Sequence, residues 1–214
     1  MSLIQISATF VYLLLVGMML RALPLRSLLH SGKTQHLIFG CVVAVFILWM
    51  FRTGIYPGLT VHFLWLSALP LVLGYRWAIV VSMLALLGVT LAGMTPISMF
   101  GINGLLGCIA PISLSYAVFS WTFHKLPRHL FIYIFVCAFA SGMAAISLKM
   151  LLFGGYYFLT GQYSWQIIVD NYLILIPLLL FPEGMLNGMT ITLLVIYLPS
   201  WVNTFHDKHY LHNK

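Results

Sequence analysis

The chain has 214 residues, 62% hydrophobic and 6% charged, with a net charge of +7. Soluble domains carry about 25% charged residues, so this is the composition of a membrane protein with no room for a sizeable soluble domain. The basic residues sit in particular loops and form no groove-sized patch, which leaves nucleic acid out as a partner and a lipid bilayer as the expected surroundings.

Seven apolar segments follow one another along the chain, at about 20 residues per crossing. They lie near 3–22, 36–51, 60–74, 77–94, 101–122, 130–153 and 171–198. The expected fold is all-α: a polytopic membrane bundle of about seven transmembrane helices, a single integral membrane domain over 1–214. The third segment is too short to cross a core of about 30 Å at 1.5 Å per residue, which predicts a short or broken helix near the outer side. The fifth opens on Gly101, Gly104 and Gly107, and the seventh holds Pro177, Pro182, Gly184 and Gly188. Irregular backbone at membrane depth needs protein or a water-filled cavity around it; glycine-mediated helix packing is the other reading of these stretches.

Charge sets the expected orientation. Arg21, Arg26 and Lys33 follow the first segment, Arg76 the third, Lys125 and Arg128 the fifth, and Lys208 and Lys214 the seventh. These alternate loops hold all the Lys and Arg except Arg52 and Lys149, which predicts an odd number of crossings with the N-terminus outside and the C-terminus inside. Trp77, Trp121, Trp165 and Trp201 sit at predicted segment ends. No positive region precedes residues 1–20, so they are expected to form a first span and no cleavable leader. Cys41, Cys108 and Cys137 lie singly in apolar stretches and read as packing residues.

The polar residues within these segments are the functional candidates. Glu183 is one of three acidic residues, and a carboxylate near the bilayer centre costs at least about 2.5–3.5 kcal/mol. A cation, a basic side chain or a hydrated cavity must offset that. Asn187 follows one turn later. Lys149 either neutralises Glu183 within the bundle or snorkels to the outer end of the sixth segment. His62, after Tyr56-Pro57-Gly58, is a candidate metal ligand, or an interfacial imidazole bonded to backbone. Asn103 either coordinates a cation, orients an imidazole, or caps a helix after Met94-Thr95-Pro96. Arg52 is expected to pair with Asp170. His206, His209 and His212 share one helix face of a solvated or metal-handling tail. There is no H-E-x-x-H, G-x-S-x-G or P-loop, so no enzyme is expected and ATP energy would have to come from another protein.

These residues together resemble the CbiM/NikM family, the substrate-specific membrane component of energy-coupling-factor cobalt and nickel transporters. The resemblance covers about residues 50–200. His62 through Leu73-Gly74 is similar to the family's His-led segment with its Leu-Gly close. Phe100-Gly101-Ile102-Asn103 ahead of Ile109-Ala110-Pro111 resembles its Asn motif, and Pro182-Glu183-Gly184 its Glu-Gly motif. The chain looks most like a short proteobacterial branch.

The resemblance implies a multi-pass protein of the bacterial inner membrane, with a periplasmic N-terminus. It would be part of a transition-metal uptake system, taking Ni²⁺ or Co²⁺ into an outward-facing cavity and passing it inward with a transmembrane coupling protein and cytoplasmic ATPases. His62 and Asn103 would meet the metal; Glu183, Asn187 and Lys149 would line or charge its path. No organic cofactor is implied. Two departures qualify this. Ser2 stands where the family has a metal-wrapping histidine, and Trp65 where it prefers a small residue. They leave open Cu²⁺ or Zn²⁺ as cargo, and equally a membrane partner or assembly factor that has kept the fold and lost or changed the site.

Overall fold

A computed structural model describes residues 2–24, 31–127 and 129–205. The expected tail cluster at His206, His209 and His212 lies outside them, as do Arg26, Arg128, Lys208 and Lys214. The helices are α1 (Leu3–Arg21), α2 (Gly32–Met50), α3 (Ala68–Leu73), α4 (Tyr75–Leu91), α5 (Ile97–Lys125), α6 (Leu130–Leu159), α7 (Trp165–Asn171) and α8 (Ile176–Tyr197). By length and composition, α1, α2, α5, α6 and the run Trp165–Tyr197 can each cross a membrane; α4, at 17 residues, is shorter. The only strand-like pairing among the described residues is the bridge between Thr53 and Val61.

One helix, α8, is inside-out compared with those of a soluble protein. On α8, Leu178, Phe181, Met185, Met189, Leu193 and Ile196 face outward at helical spacing, while Glu183, Gly184, Asn187 and Gly188 face the bundle. Where lipid is the solvent, apolar side chains need no burial and helices associate through close packing of small residues. The glycines of α5 do this against α1: a Cβ on Gly101 would come within 2.3 Å of the Thr9 backbone, and one on Gly104 within 2.4 Å of the Tyr12 ring. Glycine packing thus accounts for the start of α5, which is also irregular. Asn103–Ile109 is wound as a π-helix, as is Tyr133–Ala140 of α6.

The third predicted segment is short and broken, as its length predicts. Instead of a helix over 60–74, residues 51–67 form a strap and only Ala68–Leu73 is helical. The strap begins as a small hairpin. Thr53 and Val61 exchange both backbone hydrogen bonds, at 3.0 and 2.8 Å, around a turn in which the Leu59 N–H donates to the Tyr56 carbonyl. Pro57 and Gly58 take the central positions, and Gly58 has φ +86°, the pattern of a type II turn. Leu64, Leu66 and Ser67 are then fully buried.

The six residues of α3 are all buried, and its last carbonyls are met from far along the chain. Asn203 N–H donates to Val72, Thr204 N–H and Oγ1 donate to Leu71, and Asn203 Nδ2 donates to Leu73. Gly74, at φ +82°, turns directly into α4. At this end of the bundle Arg76 Nη1 donates to the Ala22 carbonyl and Lys33 Nζ to Ser200 Oγ. Basic residues assigned to one side by the charge pattern therefore do share one end. The helical part of the broken segment lies at that end, and its extended part runs toward the other.

Gly101→Ala is expected to lower the thermal unfolding temperature of the purified protein, costing about 1–3 kcal/mol of packing strain. Gly155→Ala, with nothing within 4 Å of its added Cβ, is the matched control and should not destabilise. Unfolding followed by circular dichroism in detergent compares the two.

Candidate functional site: a cavity and the strap beside it

Beyond its hairpin the strap has no regular hydrogen bonding, which leaves backbone N–H groups that must find partners in the core. Glu183, 0% exposed, provides them. Its Oε2 accepts from the Leu64 N–H and its Oε1 from the Trp65 N–H, both at 2.8 Å. Asn187, one turn later and equally buried, donates through Nδ2 to Glu183 Oε1 at 2.8 Å and accepts from the Ala68 N–H at 2.9 Å. Two side chains of α8 thus hold the strap and the first turn of α3. Trp65, the only described non-glycine residue with positive φ (+53°), is further fixed by Nε1 donating to Thr190 Oγ1 at 2.8 Å.

On the other side of the strap lies a cavity of about 100 Å³, at the end of the bundle away from Arg76 and Lys33. His62, Asn103, Lys149, Cys108 and Met99 line it, with Arg52 and Tyr157. His62 comes from the strap. Its Nδ1 lies 3.0 Å from the Phe63 carbonyl, which can only accept, so the proton belongs on Nδ1 and the lone pair on Nε2. That lone pair faces Lys149 Nζ at 2.7 Å. Trp49, whose Nε1 donates to the Leu64 carbonyl, packs a tilted ring against the imidazole at 5.5 Å.

Asn103 sits inside the continuous run of α5 and caps no helix end. In the π segment the chain bonds from i to i+5, so Asn103, Gly107 and Cys108 all reach the cavity wall. The first turn of α1 lies beside the same wall, where Gln5 Nε2 donates to Met99 Sδ at 3.4 Å. Ser2, at the position where the resemblance has histidine, is the N-cap of α1. It accepts from the Gln5 N–H and donates its own N–H to Gln5 Oε1, a reciprocal capping box.

The structure therefore separates the candidate residues into two groups. His62, Asn103 and Lys149 meet at the cavity, whereas Glu183 and Asn187 are absent from its lining and grip the strap that carries His62. One of the two alternatives for Lys149 closes, and one expected pairing is corrected. Lys149 bonds His62 and makes no ion pair with Glu183, whose oxygens already receive three N–H donors. Arg52 does not pair with Asp170; its guanidinium donates to the Trp49 and Met94 carbonyls, closing the end of α2.

In the sequence Cys108 reads as a packing residue and Met99 carries no signal of its own. Both sit in apolar surroundings, and only the π turn and the Thr95-Pro96 loop aim them inward. Among the described residues, no three His, Cys, Asp or Glu side chains gather as a metal-binding cluster. The nitrogen, amide and sulfur donors at the cavity are one imidazole, one amide oxygen, one thiol and two thioethers, of Met94 and Met99, a set suited to borderline and soft metals and not to Mg²⁺ or Ca²⁺.

Comparison with known proteins gives one family. The CbiM family model, described as the cobalt uptake substrate-specific transmembrane region, matches residues 3–201. No curated protein and no solved structure matches the chain.

Glu183→Ala would leave two buried backbone N–H groups without acceptors and is expected to cost about 2–5 kcal/mol. Glu183→Gln should recover little of this, because its amide NH₂ would face an N–H donor. Thermal unfolding of both variants beside the parent protein checks it. A full recovery in Glu183→Gln would show that the charge is not needed.

Proposed function

Since the chain belongs to the CbiM family, whose members are substrate-specific components of cobalt uptake, we propose that its cargo is bound at the cavity through His62 Nε2. Asn103 Oδ1 is the second ligand or the orienting group beside it. The cargo is Co²⁺ or Ni²⁺, with Cu²⁺ and Zn²⁺ compatible with the same donors. The observation that carries the reading is the fixed imidazole: Nδ1 is tied to the Phe63 carbonyl and Nε2 is turned toward a cavity. A backbone bond to the non-ligating nitrogen sets tautomer and ring direction in metal-binding histidines.

Glu183 and Asn187 act indirectly in this reading. They hold residues 64–68 and so fix where His62 stands. Seven membrane elements are counted if the strap with α3 stands as the third; the basic end faces the cytoplasm and the cavity the periplasm. The protein works in the inner membrane, and inward passage is energised by a transmembrane coupling protein and cytoplasmic ATPases.

A second reading has support of its own. Ser2 is occupied as a helix cap and the described residues hold no three-ligand cluster, which suits a membrane partner that has kept the fold without metal binding. Metal titration separates the two. The first reading expects the purified protein to bind Co²⁺ or Ni²⁺ saturably. It expects His62→Ala to abolish that binding and Asn103→Ala to weaken it, as measured by calorimetry and metal analysis after gel filtration. Undiminished binding in His62→Ala rejects His62 as ligand. No saturable binding of Co²⁺, Ni²⁺, Cu²⁺ or Zn²⁺ by the parent chain favours the second reading.

A further inference from the structure

We infer that Lys149 sets the affinity threshold of the cavity by competing with cargo for one lone pair. The inference rests on the metal-uptake reading above. His62 has a single free electron pair, on Nε2, because Nδ1 spends its proton on the Phe63 carbonyl. Lys149 Nζ stands 2.7 Å from that pair. The amine can only donate to it, and does so with or without its extra proton. A metal and the amine cannot use the same lone pair, so a metal binds His62 only by pushing Lys149 aside.

The surroundings make Lys149 an effective competitor. It is 5% exposed, so water does not substitute for its bond to the imidazole. Glu183 cannot draw it away, since that carboxylate is held by Leu64, Trp65 and Asn187. Phe153, one turn further along α6, lies with its ring centroid 5.9 Å from Nζ and lines the same cavity. Its face offers the displaced amine a cation–π contact. An entering ion must therefore bring a strong bond to nitrogen as well as charge. Ions low in the Irving–Williams order, and the oxygen-seeking Mg²⁺ and Ca²⁺, fall short; Co²⁺, Ni²⁺, Cu²⁺ and Zn²⁺ do not.

The test uses the full chain in lipid nanodiscs, titrated calorimetrically with Co²⁺ and with Mn²⁺. Lys149→Met keeps the length and removes the donor. It should tighten Co²⁺ binding about tenfold, the value of one net hydrogen bond, and tighten Mn²⁺ binding by the same factor. Lys149→Arg, still a donor, should stay near the parent. Unchanged or weakened Co²⁺ binding in Lys149→Met overturns the inference. A measurement on the parent protein does not depend on the variant folding: with ¹⁵N at lysine Nζ, the Lys149 resonance should shift as Zn²⁺ saturates the site. A resonance that stays in place while Zn²⁺ binds also overturns it. Loss of binding in His62→Ala with no gain in Lys149→Met ends this inference alone. Full binding in His62→Ala, or no binding in either the parent or Lys149→Met, ends the metal reading with it.

Discussion

The bond between the Glu183 carboxylate and the backbone of Leu64 and Trp65 is the contact on which the site depends. A chain segment without helix or sheet inside a membrane protein must have its amides satisfied by something other than water. Here a carboxylate, itself too costly to leave alone at that depth, meets amides that are too costly to leave alone. Each removes the other's penalty, and the result is a rigid strap where a regular helix would otherwise cross. A regular helix would turn its amides inward upon itself and present side chains every third or fourth residue. The strap instead delivers His62 to the cavity wall at its extended end and begins α3 at the other.

Much of this was legible from residue types, and the limits were specific. Glu183 and Asn187, four apart in an apolar helix, announced a buried polar pair with a job. What they grip could not be read, because backbone amides look alike in every sequence and the partners lie 119 and 118 residues away. Lys149 posed a different difficulty. Opposite charge offered Glu183 as its partner, but attraction does not decide when the acceptor's oxygens are already engaged by three neutral donors. The brevity of the third segment announced a short or broken helix, but not which residues would unwind, since the hydropathy of residues 60–67 is the same in a strap and a helix. The family resemblance was carried by the order of three short motifs, and the match over residues 3–201 agrees with it.

The bundle combines two kinds of packing. Where α1 meets α5, and α6 meets α8, glycines let backbones approach until side chains interlock. A Cβ on Gly184 would come within 2.9 Å of Met143, and one on Gly142 within 3.0 Å of Asn187. At the cavity and the strap, His62, Lys149, Glu183 and Asn187 are each paired with fixed partners. The first sort of contact fixes distances between helices; the second fixes angles of individual groups. His62 requires both: the strap is held in direction by α8, and α6 brings Lys149 to it from across the bundle.

The π-wound stretch of α5 has a consequence for how this wall can evolve. Such a turn accommodates one residue more than the α-helix around it, so the flanking halves of α5 are out of phase. Removing a single residue between Asn103 and Ile109 would let the run relax to uniform winding with both flanking halves left in place, whereas a deletion elsewhere in α5 would swing one half relative to the other by about 100°. That swing would set the cavity wall and the rest of α5 against different neighbours. Lineages carrying this architecture should therefore drift freely in which apolar residues fill α5 and tolerate a change in their number only within the π stretch.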